Sequence, residues 1–146
     1  QGDVSGLTNG RISIYRDAIT LWNAKRIAGI GWGNFKYSTP KTVWYAGFDV
    51  HNCYLQILCE TGIIGAVFFY ILTFTSIFNF VRCINRTKKR DIGFYKLSLL
   101  IGYIQLFFMM YSVTEPILYE YTDYIIYFIC INITGIILKN IKRKKI

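Results

Sequence analysis

The groups in this 146-residue sequence that could do chemistry are one histidine, two arginines near a helix start, and two carboxylates at the ends of apolar runs. His51 stands at the head of a helix that the pattern starts near His51-Asn52. The positive end of the helix dipole lies there and disfavours imidazolium, and a neutral imidazole is what a general base needs. The same position equally suits a histidine that only caps the helix or packs at an interface. Arg11 and Arg16 fall in the first turns of another helix. Guanidinium groups at a helix start make a receptor for phosphate or pyrophosphate, through forked hydrogen bonds aided by the dipole. They equally suit a solvated polar face or contact with lipid phosphates. Five positions separate them, about 140° around a helix, so one site takes both only if the first turn frays. Glu60 and Glu115 could help activate a hydroxyl, although carboxylates at the end of an apolar run are usually just solvated.

The elements that must position these groups are helical. Thr8 or Asn9 can cap a helix that begins near Arg11. Ile12, Tyr15, Ile19 and Trp22 recur at spacings of three, four and three, which predicts one apolar stripe on an amphipathic helix. Gly29-Ile30-Gly31-Trp32-Gly33 ends it. This run is only superficially like a nucleotide-binding loop, since no strand precedes it, and it reads as a turn allowing close backbone approach. Residues 34–50 are irregular, with Trp44, Tyr45 and Phe48 suited to the headgroup level. The His51-Asn52 helix is expected to run without a breaker into the first long apolar run. Gly62 and Gly65 lie at the join, where small residues admit another helix.

Composition sets the class. The sequence is 53% hydrophobic and 18% aromatic, and its apolar residues are gathered in uncharged runs. These cover 21 positions between Glu60 and Arg82, 18 between Lys96 and Glu115, and 15 between Asp123 and Lys139. At about 1.5 Å per residue, the first two cross a hydrocarbon core of roughly 30 Å or nearly so. The third does so only by recruiting residues from Pro116 to Asp123. The fold class is therefore an all-α integral membrane protein: a helical bundle of two to three transmembrane helices after an N-terminal helical loop region.

The formal net charge of +9 suggests nucleic acid until its distribution is considered. Eleven of the 17 Lys and Arg lie in two clusters, Arg82 to Lys96 and Lys139 to Lys145. The stretches 42–62 and 112–123 have none. That alternation follows the positive-inside pattern and excludes nucleic acid as the natural partner. It puts residues 1–61 outside, 62–81 in the membrane, 82–96 in the cytoplasm and 97–113 in the membrane. Residues 114–123 then form an outer turn, 124–138 a third span, and 139–146 a cytoplasmic tail. Cys53, Cys59, Cys83 and Cys130 offer no persuasive disulfide pair, and with one histidine they form no zinc pattern. The chain opens on Gln1 with no basic start leading into an apolar stretch, and is read as the C-terminal part of a longer polypeptide.

Four of these pieces occur in a telling order. Asn9-Gly10-Arg11-Ile12 opens the helix containing Trp22, followed by Gly29-Ile30-Gly31-Trp32-Gly33-Asn34-Phe35 and His51-Asn52-Cys53-Tyr54-Leu55-Gln56. Glu60-Thr61-Gly62-Ile63-Ile64-Gly65 then enters the first span. From about residue 9 to 81 this resembles the superfamily of O-antigen ligases and polymerases. The resemblance implies a multi-pass bacterial inner-membrane glycosyltransferase, acting on undecaprenyl-diphosphate-linked glycan donors and an acceptor glycan without metal or other cofactor. It implies that His51 activates the acceptor hydroxyl and that Arg11, with Arg16 as a weaker match, holds the pyrophosphate. Asn9 stands where the family commonly has Ser. The family's earlier spans, and at least one further arginine, are not in this sequence, so the segment by itself is expected to be inactive. Partners implied are the lipid bilayer and other polysaccharide-assembly proteins. The competing class is a non-catalytic membrane protein of polysaccharide export, a flippase part or assembly subunit. A transporter should carry ionisable groups at mid-span, and these runs carry almost none.

Overall fold

The computed structural model describes residues 10–40, 46–89, 91–116, 119 and 121–143. Every regular element among them is helical: α1 (Arg11–Ala24), α2 (Phe35–Ser38), α3 (Cys53–Thr87), α4 (Ile92–Tyr111) and α5 (Tyr121–Arg143). They divide into two compact units. One takes Gln1–Phe69 with Ser112–Pro116, and the other Tyr70–Tyr111 with Ile117–Ile146.

In the first unit, α1 starts as the sequence predicts, but the residue at its cap position is Gly10, with φ 70° and no side-chain cap bond. Thr8 and Asn9 lie outside the described residues. The buried face of α1 also differs from the predicted stripe. Ile14 and Ala18 are fully buried, packed with Phe35, Val50 and Cys59, and Tyr15, Leu21 and Trp22 flank them. Ile12 and Ile19 are exposed. Ile14, Ala18 and Leu21 form a second series at spacings of four and three, and Tyr15 and Trp22 border both series. Small Ala18 let the core close on that side.

Asn52 starts α3 by accepting the Leu55 N–H on its side-chain oxygen at 2.9 Å, the usual N-cap bond. The helix does not run on unbroken, however. Gly62 has φ 65° and ψ −168°, a kink that only glycine enters without strain. A break of this kind frees carbonyls on one side and N–H groups on the other, and buried backbone groups must find partners. The segment after α1 supplies them. Ile30 and Gly31 donate to the carbonyls of Cys59 and Glu60 at 3.1 and 2.8 Å. Ile63 and Ile64 donate to Arg26 and Ile27 at 2.8 and 3.4 Å. The close approach at Gly62 is therefore that of a loop, not of another helix. A Cβ on Gly29 would collide with the Glu60 carbonyl, and one on Gly62 with the Ile27 carbonyl.

The second unit buries polar side chains beside its apolar core and turns large apolar ones outward. Thr73, Ser76, Ser98, Gln105 and Thr134 are buried, whereas Phe74, Phe78, Tyr103, Met110 and Ile136 face outward. α4 and α5 pack through Ile101, Cys130, Ile137 and Ile141 together with Cys83 of α3. Gln105 donates to the Thr134 hydroxyl at 3.0 Å, the interhelical bond expected where lipid replaces water. The stretches Cys53–Thr87, Ile92–Tyr111 and Thr122–Ile141 are each long and apolar enough to cross a membrane. The third reaches that length by starting two residues before Tyr124 and running past Lys139 to Ile141.

Candidate functional site

His51 and Arg11 meet at one carboxylate. The His51 Nδ1 lies 3.2 Å from Oε2 of Glu115, and the Arg11 guanidinium lies 3.6 Å from Oε1 of the same residue. All three side chains are about one-third exposed, at 34%, 35% and 33%. The cluster is thus accessible, and the Arg11–Glu115 pair is worth no more than about 1 kcal/mol. Two helix starts, those of α1 and α3, converge there. The positive ends of their helix dipoles make the spot favourable to an anion.

Each member is held from behind. Glu115 comes within reach because the Cys53 N–H, in the first turn of α3, donates to the Ser112 carbonyl at 2.8 Å. His51 sits just before the cap residue Asn52, with φ 54°. Histidine enters that left-handed region at a cost of roughly 1–2 kcal/mol, so neighbours must impose it. They do so on three sides. The Tyr15 hydroxyl donates to the His51 carbonyl at 3.4 Å, the Phe48 ring meets the imidazole edge-on at 6.4 Å, and the Val50 N–H is bound by the Gln56 side-chain oxygen at 3.0 Å.

Gln56 belongs to a buried polar chain that the sequence reading passed over. Its amide nitrogen donates to Asp49 at 2.8 Å and, more weakly, to Glu60 at 3.4 Å. Glu60, for which the sequence leaves open a role in activating a hydroxyl or a solvated position, is 1% exposed. Its two oxygens accept the N–H groups of Gly33 at 2.7 Å and Phe35 at 3.0 Å. Glu60 thus anchors the glycine turn and, through Gln56, the turn that carries His51. The sequence holds a signal for this: Gln56 and Glu60 are four apart on the same helix face as apolar Cys53, and a polar pair on a buried face must find internal partners.

Arg16 is not brought to this cluster. It is exposed on the far side of α1, and among the described residues no hydrogen bond or ion pair joins its side chain to Arg11, His51 or Glu115. Arg11 lies on the same side of α1 as Ala18, seven positions on and buried, while Arg16 falls beside exposed Ile12 and Ile19. All four cysteines are buried thiols outside any disulfide. Glu115 is a candidate in the sequence, but its pairing with His51 could not be found from spacing, because the two stand 64 positions apart.

Arranged this way, the cluster can accept a proton at the imidazole and bind an anion at the guanidinium. Residues 2–70, which include both Arg11 and His51, match the family model described as O-antigen ligase, just under half of the chain. No curated protein and no solved structure matches the chain.

Proposed function

With residues 2–70 taken as an O-antigen ligase family segment, we propose that the chain carries the acceptor-activating and diphosphate-binding site of a membrane enzyme. This enzyme transfers or polymerises glycans from a polyprenyl-diphosphate carrier, undecaprenyl diphosphate in bacteria, without a metal. The observation that carries this reading is the meeting of His51 and Arg11 at the convergence of two helix starts. An anomeric carbon bound to diphosphate already has a good leaving group. What remains is to remove a proton from the acceptor hydroxyl and to stabilise negative charge on the departing diphosphate. His51 takes the hydroxyl proton on Nε2 as the acceptor oxygen bonds to the anomeric carbon. The carbon–oxygen bond to the diphosphate breaks, and its electron pair leaves on the diphosphate, held by Arg11. Attack from the face opposite the leaving group inverts the anomeric centre. Arg16, on the exposed side of α1, is assigned to lipid phosphates next to the carrier rather than to the same diphosphate.

The topology that fits this chemistry places residues 1–61 outside the inner membrane and the basic stretches 82–96 and 139–146 in the cytoplasm. The distribution of Lys and Arg supports it. Both His51→Ala and His51→Asn in the intact protein are expected to abolish chain growth at an unchanged protein level. Asn is the more informative of the two, because it tolerates φ 54°. Normal glycan chains from cells carrying His51→Asn would remove His51 from the site.

A further inference from the structure

Glu115 holds both functional groups at once, through different oxygens. Its Oε2, acting as acceptor toward Nδ1 of His51, selects the tautomer whose proton is on Nδ1 and leaves the Nε2 lone pair free for a substrate hydroxyl. Its Oε1 meanwhile occupies the cation that the diphosphate needs. The two contacts are unequal. The His51 contact is within hydrogen-bond distance at 3.2 Å, whereas the Arg11 contact at 3.6 Å is an ion pair too long for a good hydrogen bond. Both partners of the longer contact are about one-third exposed, so an entering dianion can compete for Arg11. Glu115 is thus a resident anion at a place built to receive one.

We propose that Glu115 is a positioning residue that exchanges Arg11 for the donor diphosphate while keeping His51. This rests on the reading given under Proposed function. When a diphosphate arrives, Arg11 turns from Oε1 to the ligand, and the charge that Glu115 had shared with the guanidinium is left to His51 alone. A carboxylate relieved of its cation holds the Nδ1 proton of His51 undivided, which keeps Nε2 presented to the acceptor hydroxyl. Donor binding and the positioning of the base are therefore coupled through one side chain. The groups facing His51 in this cluster are Glu115, with Arg11 behind it, the Phe48 ring edge and the Tyr15 hydroxyl at its carbonyl.

The test is Glu115→Gln in the intact protein, an isosteric change at a partly exposed position. Two quantities are measured: the inhibition constant of inorganic pyrophosphate, and kcat for chain growth from purified lipid-linked glycan. Exchange predicts opposite signs. Pyrophosphate binds about two- to fivefold tighter, because Arg11 loses its internal competitor, and kcat falls by at least about tenfold. Adding Arg11→Gln abolishes the gain in pyrophosphate affinity. A general structural role would weaken both quantities together, and that result, or no change in either, overturns the proposal. Retention of kcat in His51→Asn would instead overturn the site assignment itself, so the two failures are distinguishable.

Discussion

Replacing Glu60 by glutamine keeps the shape of the side chain and removes one acceptor oxygen. The carboxylate now accepts the Gly33 and Phe35 N–H groups on separate oxygens, at 2.7 and 3.0 Å, in a site 1% exposed. In Glu60→Gln one of those two N–H groups must face an NH2 donor. A hydrogen bond to a charged group is worth about 1.5–3 kcal/mol, and a buried donor left without a partner costs about 1–3 kcal/mol. Some of this is regained if the turn shifts to let water in, so the expected local loss is about 2–4 kcal/mol. At 1.36 kcal/mol per decade, that is roughly a thirtyfold to thousandfold rise in the opening equilibrium of the glycine turn. Hydrogen–deuterium exchange of the intact protein in detergent, read on a peptide spanning residues 30–38, measures it directly. Exchange should accelerate by that factor there, while peptides in α4 and α5 stay unchanged. An unaltered rate over 30–38 would falsify the view that Glu60 holds the turn.

Three other outcomes follow from the geometry. Gly62→Ala forces a side chain onto φ 65° and into the Ile27 carbonyl, so it should destabilise the first unit by more than about 2 kcal/mol and expose the 25–31 segment to trypsin at Lys25 and Arg26. Undiminished protease resistance would contradict this. Gln105→Leu removes an interhelical bond together with a buried oxygen, Oε1, that has no hydrogen-bond partner among the described residues. It should change stability by less than about 1 kcal/mol, whereas Thr134→Val, which strands the Gln105 amide, should cost more; thermal unfolding in detergent ranks them. Arg11→Cys on intact spheroplasts should react with an impermeant thiol reagent against little background, since the native cysteines are buried. Reaction only after lysis would place the head region on the cytoplasmic side.

Much of the architecture was legible because it depends on one-dimensional patterns. The uncharged runs gave the three long helices, Asn52 gave the start of α3, and the glycine run gave a turn of close approach. What escaped depends on three-dimensional partners. The kink at Gly62 looks like uninterrupted apolar helix until the 26–31 segment is there to take up its freed backbone groups. On α1, two apolar series compete, and the choice of Ile14 and Ala18 over Ile12 and Ile19 was made by what packs against them. Glu60 and Glu115 carry the same local signature, an acid at the edge of an apolar run. One proved a buried anchor and the other the shared partner of Arg11 and His51.

The seam between the glycine turn and the kinked helix has a genetic consequence. It is stitched from main-chain groups, so the side chains along it, such as Ile27, which is 68% exposed, are free to drift. Gly29 and Gly62 are not, and their obstruction is reciprocal: each would strike a carbonyl belonging to the opposite strand of the seam. No second-site replacement can trim a carbonyl. Suppressor screens against a substitution at either glycine should therefore return true revertants and few compensating changes.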